Sequence, residues 1–198
     1  IIMALENPAM PKPQIHTLKT GKLPPEILQS VLERLPSADP ALLAGPGIGM
    51  DCAVLDLGET CLVAKTDPIT FATEEIGWYA VQVAANDLAT TGADPRWLLL
   101  TALLPEGKST AHLATQIADQ VRQACLPLGI SVIGGHTEVT SGLDRPILSV
   151  TLLGTCAKDQ LILPTGIRAG DDILLTKSIA LEGSAILARE FQHHLASS

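Results

Sequence analysis

The stretch at residues 74–104 reads EEIGWYAVQVAANDLATTGADPRWLLLTALL. Apolar residues recur at helical spacing in its first part, which predicts a helix over residues 74–91. The apolar face of that helix consists of Ile76, Ala80, Val83, Ala84 and Leu88. Gly92 is placed to end the helix, and the apolar run at residues 97–104 is typical of a strand. A helix that leads into a strand in this way indicates a helical crossover within a sheet.

The segments on either side supply the remaining elements. Residues 52–57 and 60–66 are two strand candidates separated by a Gly58-Glu59 turn, which predicts a hairpin. Further along come a helix at 110–128, with Ser109 as its N-cap, and strands at 130–133 and 147–153. The order β-β-α-β-α-β-β predicts an α+β fold, a mixed β-sheet covered by helices on one face.

Proline content and periodicity divide the chain into three segments. They predict an extended or mobile arm at residues 1–23, a main domain at 24–154, and the beginning of a second α/β domain at 155–198. The last segment contains a predicted strand at 173–176 and a predicted helix at 181–195. Because one strand and one helix are too few for a core of their own, we expect this segment to be truncated or to pack on the first domain.

Composition and hydropathy favour a globular protein and argue against nucleic acid binding and a membrane span. With 46% hydrophobic and 17% charged residues, the 198-residue chain is expected to fold as a globular protein. Its formal net charge of -8 and the lack of a basic segment argue against nucleic acid as a partner. No apolar run reaches the roughly 20 residues that span a bilayer, and no cleavable leader is recognisable, so we expect a soluble, cytoplasmic protein.

The four cysteines show no metal-ligand spacing. They are Cys52, Cys61, Cys125 and Cys156, and they lie far apart along the chain. The sequence therefore predicts buried, reduced thiols.

Three carboxylates occupy distinctive positions: the end of a loop, the end of a strand and an apolar segment of a helix. Asp51 ends a glycine-rich loop, Asp67 follows the second strand of the hairpin, and Asp87 lies among apolar helix residues. A carboxylate in an apolar setting is costly unless it is paired or bound to a cation, and Mg²⁺ prefers such oxygen ligands together with phosphate oxygens. The alternatives are a loop end for Asp51, a turn former for Asp67 and a solvent-facing position for Asp87.

Two glycine segments are candidates for phosphate contact. The loop Gly45-Pro46-Gly47-Ile48-Gly49 lacks both the P-loop ending and the helix of a dinucleotide-binding turn, which disfavours a dinucleotide oxidoreductase. Its backbone amides are candidates for phosphate binding, with an ordinary mobile loop as the alternative. In Gly134-Gly135-His136-Thr137-Glu138, the side chains of His136 and Glu138 are candidate metal ligands or an acid–base pair, and Thr137 is a candidate phosphate donor. A polar turn is the alternative.

Taken in order, these segments resemble the aminoimidazole ribonucleotide synthetase (AIR synthase) superfamily over about residues 20–185. The most specific part is Asn86-Asp87-Leu88-Ala89 followed by Gly92-Ala93-Asp94-Pro95. The resemblance implies an AIR synthase N-terminal-domain-like fold that dimerises through its sheet and uses ATP and Mg²⁺. It implies metal binding by Asp51, Asp67 and Asp87, with His136 and Glu138 as additional candidates. It also implies nucleotide binding by Gly47, Gly49, Asn86, Gly134, Gly135 and Thr137.

Details of the match suggest which members are most similar. Residues 23–28, 173–177 and 180–183 look most similar to the hydrogenase maturation proteins that dehydrate a carbamoyl group. This predicts an ATP- and Mg-dependent enzyme domain that activates or phosphorylates a small substrate and has a maturation partner protein. Proteins of that type act through a C-terminal cysteine, whereas this chain ends in Ser198, so we expect it to be incomplete.

Two other interpretations remain open. One is a phosphotransferase like thiamine-monophosphate kinase. The other is a non-catalytic dimerisation or scaffold module, because Met50 stands where many relatives have Asp, His136 stands where some have Asp, and the C-terminal segment is short.

Overall fold

The computed structural model describes residues 17–72, 74–175 and 177–192. The described part of the chain divides into two compact units, with the boundary between Leu35 and Pro36. The described part of the first unit contains helix α1 (Pro25–Leu32), which has Pro25 in its first turn, where a missing N–H costs no hydrogen bond. Most of the predicted arm, residues 1–16, lies outside the described residues, and the predicted domain boundaries stay predictions.

The described part of the second unit is a sheet with associated helices. Its elements are β1 (Leu42–Ala44), β2 (Ala53–Asp56), β3 (Thr60–Ile69), α2 (Ile76–Ala89), β4 (Asp94–Pro105), α3 (Ala111–Leu128), β5 (Ser131–Thr140), β6 (Ile147–Ala157) and α4 (Leu181–Glu190). The strand order is β1-β2-β3-β6-β4-β5. Only β4 and β5 pair in parallel, so the sheet is mixed and the predicted α+β class is confirmed.

One face of the sheet forms the core. Burial alternates along β3 and β6, as expected for strands with one covered face. Helix α2 packs over β3 and β6, and α3 packs on α2. Gly77 allows this close approach, because a Cβ there would lie 2.7 Å from the carbonyl oxygen of Ile117.

The opposite face of the sheet is partly exposed. We call it the uncovered face and define it by Ala64, Thr66, Trp97, Leu99, Thr151 and Leu153, which the strand registers place on one side. Trp97 and Leu99 are each 37% exposed. Apolar side chains therefore reach solvent across the middle of the sheet.

Several boundaries differ from those predicted. The N-cap of α3 is Thr110, whose hydroxyl accepts a hydrogen bond from the Leu113 amide at 3.1 Å, whereas Ser109 donates to the Pro105 carbonyl. Both residues suit a cap, and only the backbone path decides between them. Strand β1 was not predicted, since three residues are too few for a periodic pattern.

Strand β5 is longer than predicted. It continues to Thr140, so the segment 134–138 lies within the strand and is not a turn after it. Gly135 permits this, because a Cβ there would lie 1.9 Å from the Leu100 carbonyl oxygen on β4.

The region after β6 contains less regular structure than predicted. The strand prediction at 173–176 is wrong for residues 173–175, which have no regular structure, and Thr176 lies outside the described residues. Ile173 is 99% exposed, so its apolar side chain has no neighbouring strand to pack on. The predicted helix 181–195 is present as α4 but ends at Glu190, and residues 193–195 lie outside the described part. Within the described ranges, no helix has the length and apolar character needed to cross a bilayer.

Candidate functional site

Three carboxylates converge on one ammonium group. Lys65 Nζ lies 2.7 Å from Asp87 Oδ2, 3.4 Å from Asp67 Oδ2 and 4.0 Å from Asp51 Oδ1. We call these four residues the Lys65 cluster. Three negative charges and one positive charge leave a formal charge of -2, so the cluster retains an attraction for a further cation.

Each member of the cluster comes from a different part of the local fold. Lys65 and Asp67 lie two residues apart on β3 and therefore share a face of the strand. Asp87 lies in the last turn of α2, and Asp51 ends the loop before β2. A carboxylate near a helix C-terminus is electrostatically unfavourable, and the Lys65 ammonium group, 2.7 Å away, offsets this cost.

Burial distinguishes the lysine from its partners. The Lys65 side chain is 9% exposed, whereas those of Asp67 and Asp87 are 31% and 29% exposed and that of Asp51 is 67% exposed. Asp51, the most exposed and most distant partner, contributes least to holding the ammonium group. The cluster is thus closed towards the core and open towards solvent on the Asp51 side.

Burial and charge in and around the cluster shift the pKa values of Lys65 and of the adjacent Cys52. Burial lowers the pKa of Lys65, but the hydrogen bond and charge of Asp87, together with those of Asp67, outweigh it and hold the pKa above its usual value. Cys52 donates from Sγ to the Asp87 carbonyl at 3.6 Å. Burial raises the pKa of Cys52 to about 11, against the lowering effect of Lys65, so its thiol is protonated at neutral pH.

A small cavity borders the cluster. It has a volume of about 30 Å³ and is lined by Met50, Asp51, Cys52, Val54, Thr90, Thr91, Leu163 and Pro164. This is enough room for a water molecule. The cavity can therefore hold a water molecule next to Asp51.

The cluster has the chemistry of a site for a hard cation. Its donors are carboxylate oxygens, which Mg²⁺ prefers. Among the described residues, no group of three or more His, Cys, Asp or Glu side chains is arranged to hold a metal ion. Since Mg²⁺ commonly takes only one or two protein carboxylates and completes its shell with phosphate oxygens and water, these residues fit such an ion without a preformed cage.

The glycine loop adjoins the cluster through Asp51. Gly47 accepts a hydrogen bond from the Met50 amide at 3.2 Å, which closes a turn directly before Asp51. Gly49 has a φ of 81°, a left-handed conformation that favours glycine. The loop therefore presents backbone next to the carboxylate.

The predicted residues on β5 lie elsewhere. His136 Nε2 is 3.1 Å from Glu138 Oε2, and both side chains are well exposed. Strand β5 is three positions from β3 in the sheet, about 14 Å at the usual strand spacing. Gly134, Gly135 and Thr137 share that strand, so the structure does not bring this group into the Lys65 cluster.

Lys65 was not among the predicted site residues. It follows Cys61 and Val63 at a spacing of two, and both of these are fully buried. The alternation along β3 was the signal that could have placed Lys65 on the buried face, where a lysine requires partners.

The sequence from residue 49 to residue 156 matches the family described as AIR synthase related protein, N-terminal domain. The chain belongs to this family. The match includes all four residues of the Lys65 cluster. It also covers β2 to β6 almost entirely, which agrees with the mixed sheet described above.

Curated relatives of this chain carry names that describe different roles. A selenide, water dikinase of Rhizobium meliloti is 31% identical over 81% of this chain and 47% of its own length. A putative hydrogenase expression/formation protein of Methanocaldococcus jannaschii is 30% identical over 84% of this chain and 51% of its own length. The chain thus spans about half the length of the curated relatives it matches.

A solved structure supports the same assignment. The crystal structure of the hydrogenase maturation protein HypE is similar to 79% of this chain and 49% of its own, with 27% identity and a TM-score of 0.57. The likeness extends from sequence to the arrangement of the elements.

Proposed function

We propose that this family protein is an ATP- and Mg²⁺-dependent enzyme domain that activates or phosphorylates a small substrate, related to the hydrogenase maturation type. The observation that carries the proposal is the convergence of Asp51, Asp67 and Asp87 around one lysine, with a formal charge of -2.

The residues of the cluster have separable roles in this proposal. Asp51 and the outer oxygens of Asp67 and Asp87 hold Mg²⁺, which, when bound, neutralises charge on the transferred phosphate. The positive charge of Lys65 offsets the electrostatic repulsion between Asp67 and Asp87, and its contacts fix the orientation of both carboxylates. The loop amides around Gly47 and Gly49 approach the phosphate oxygens.

The name of one relative supports phosphate chemistry, and the names together leave the acceptor open. One relative is a dikinase and another a putative hydrogenase expression/formation protein. We also propose a homodimer, a maturation partner protein and a small-molecule acceptor. Four buried free cysteines fit the reducing environment of the cytoplasm, where we place the reaction.

A titration with Mg-ATP, in which calorimetry measures the heat of binding, tests the metal site. We expect the wild type to bind and Asp87→Ala to bind at least about 10-fold more weakly, with little remaining dependence on Mg²⁺. Asp119→Ala is the matched control, because Asp119 is an exposed helix carboxylate that pairs only with Arg122 among the described salt bridges. The assignment would be overturned if the wild type and Asp87→Ala bound Mg-ATP equally well, or if neither bound it.

One observation favours a second function, a non-catalytic scaffold. The Lys65 ammonium group already supplies a cation to the carboxylates, as in a purely structural ion-pair network. If this alternative holds, the wild type does not bind Mg-ATP, and the nucleotide changes neither its fold nor its oligomeric state.

A further inference from the structure

A second cavity, larger than the one beside Asp51, lies between α2 and α4. We call it the α2–α4 cavity. Its volume is about 520 Å³, and it shares no lining residue with the small cavity at the Lys65 cluster. Small-molecule sites typically have volumes of roughly 300–1,000 Å³. The cavity is therefore large enough for a ligand of its own.

One row of side chains on α2 forms a wall of this cavity. Trp78, Gln82 and Asn86 line it at a spacing of four residues, which places them on one side of the helix. Trp78 is 41% exposed, a large aromatic surface open to a ligand. Its ring meets Tyr79 edge-on, with centroids 5.3 Å apart, and this contact restrains its orientation.

The two amides in this row are available for recognition. Neither Gln82 nor Asn86 makes a side-chain hydrogen bond within the described part of the chain. Each amide offers both a donor and an acceptor. That combination matches the edge of a nitrogen heterocycle, as when Asn or Gln pairs with the edge of adenine.

The charges around the cavity balance. Glu75 is paired with Arg189, whose guanidinium also lies 5.9 Å from the centroid of the Tyr79 ring. The remaining charged lining residues are Lys177 and Glu182, one of each sign. Two carboxylates and two cations leave no net charge, so the interior favours an uncharged ring over a phosphate group.

The backbone at the rim adopts uncommon conformations. Glu75 and Lys177 line the cavity with φ values of 52° and 65°, and Ala180, the N-cap of α4, has a φ of 58°. In the described ranges these are the only non-glycine residues with positive φ. Left-handed conformations of such residues concentrate at ligand sites, where the surrounding structure maintains them.

We propose that the α2–α4 cavity binds a planar, uncharged heteroaromatic ring of the nucleobase type. The ring stacks on Trp78 and receives hydrogen bonds from Gln82 and Asn86. The proposal does not depend on metal at the Lys65 cluster. Two sources supply this chemistry, the base of the nucleotide itself or a heteroaromatic acceptor substrate.

Tryptophan fluorescence tests the proposal directly. The sequence has two tryptophans, so Trp97→Phe leaves Trp78 as the only reporter. This variant is titrated with adenosine and with cytidine, which carry no phosphate, in the presence of EDTA up to about 5 mM nucleoside. We expect saturable quenching by at least one of them.

Variants of the amide row separate specific binding from simple quenching. In the Trp97→Phe background, Gln82→Leu and Asn86→Leu should each weaken nucleoside binding by about 10-fold, while the circular dichroism spectrum is retained. Gln116→Leu, a substitution of an exposed glutamine on α3, should leave binding unchanged. No saturable quenching with either nucleoside, or equal affinities in all variants, would overturn the proposal.

Two further titrations distinguish the sources and separate this proposal from the metal site. If saturating Mg-AMPPNP displaces the nucleoside, the ring belongs to the nucleotide; if both bind together, it belongs to a second substrate, and either result supports the cavity. Asp87→Ala should bind the nucleoside as the wild type does. Failure of Mg-ATP binding with retained nucleoside binding would overturn only the proposed metal site.

Discussion

Lys65 connects two elements through charge-assisted contacts. Its ammonium group joins Asp67 on its own strand to Asp87 on α2, and its stem is buried among apolar residues of β3. Because its partners retain about a third of their exposure, the network is less costly to desolvate than a fully buried one. We therefore expect the network to contribute to stability in addition to any role in the site.

Replacing Lys65 with Met tests this contribution. Lys65→Met should lower the free energy of unfolding by about 2–3 kcal/mol in EDTA, because two neighbouring carboxylates lose their counter-charge. Addition of Mg²⁺ should recover part of the loss if the cluster binds the ion. Urea denaturation measures both effects.

Lys108→Met is the control for that measurement. Lys108 is an exposed lysine that donates to the Asp144 carbonyl, and its loss should change stability by no more than about 0.5 kcal/mol. Equal losses in the two variants would show that the Lys65 cluster is not stabilising.

Cys125 predicts an alkaline limit to stability. Burial raises the pKa of this thiol above its usual 9.0, so the folded protein keeps the proton where the unfolded chain releases it. The resulting contribution is complete below pH 9 and is lost as the pH rises through the folded-state pKa. The stability of Cys125→Ala should therefore fall less steeply above pH 9 than that of the wild type.

The neighbouring residue provides the control for the pH measurement. Leu126 is 66% exposed, and Leu126→Ala keeps the thiol. Its urea midpoint should show the same decline with pH as the wild type. A Cys125→Ala profile parallel to the wild-type profile would contradict the prediction.

At the scale of elements, β5 depends on a single glycine. A Cβ at Gly135 would lie 1.9 Å from a carbonyl oxygen of β4, whereas one at Gly134 would lie 3.2 Å from a leucine methyl group that can move. Gly135→Ala should therefore destabilise the protein by more than about 2 kcal/mol and Gly134→Ala by less than about 1 kcal/mol. Thermal unfolding of the two variants checks this, and similar melting temperatures would contradict it.

Local periodicity was enough to predict most elements. The hairpin β2–β3, the helices α2 and α3 and the strands β4 and β6 each carry a pattern within their own residues. The order in which strands pair depends on contacts between distant segments, and the extension of β5 through two glycines depends on the close approach of β4. Neither can be deduced from one segment.

The candidate site shows the same division. Asp51, Asp67 and Asp87 were predicted and are brought together by the fold. Lys65 was missed because a lysine in a strand is usually read as solvent-facing. The β5 residues were grouped with the site by sequence order, although the sheet topology separates them from it.

At the scale of the whole molecule, the uncovered face suits a second copy of the chain. Trp97 and Leu99 expose apolar surface there, beside Thr66 and Thr151 at the centre of the sheet. Leu99→Glu should convert a dimer into a monomer, since a charge would be buried in the interface. Light scattering after gel filtration measures this.

Leu57→Glu is the control for the dimer. Leu57 is 60% exposed beside the β2–β3 turn, outside the uncovered face, and its substitution should leave the molecular mass unchanged. A wild-type protein that is monomeric, or a dimer that persists in Leu99→Glu, would exclude this face as the interface.

The Lys65 ammonium group also bears on how such a protein is made. Sites that gather several acids commonly need their metal in order to fold, which ties production of the protein to the supply of the ion. Here a covalently attached cation is delivered with the strand itself. We therefore expect a newly synthesised chain to assemble this part of the sheet without Mg²⁺, and under the proposed function the ion arrives later, with its nucleotide.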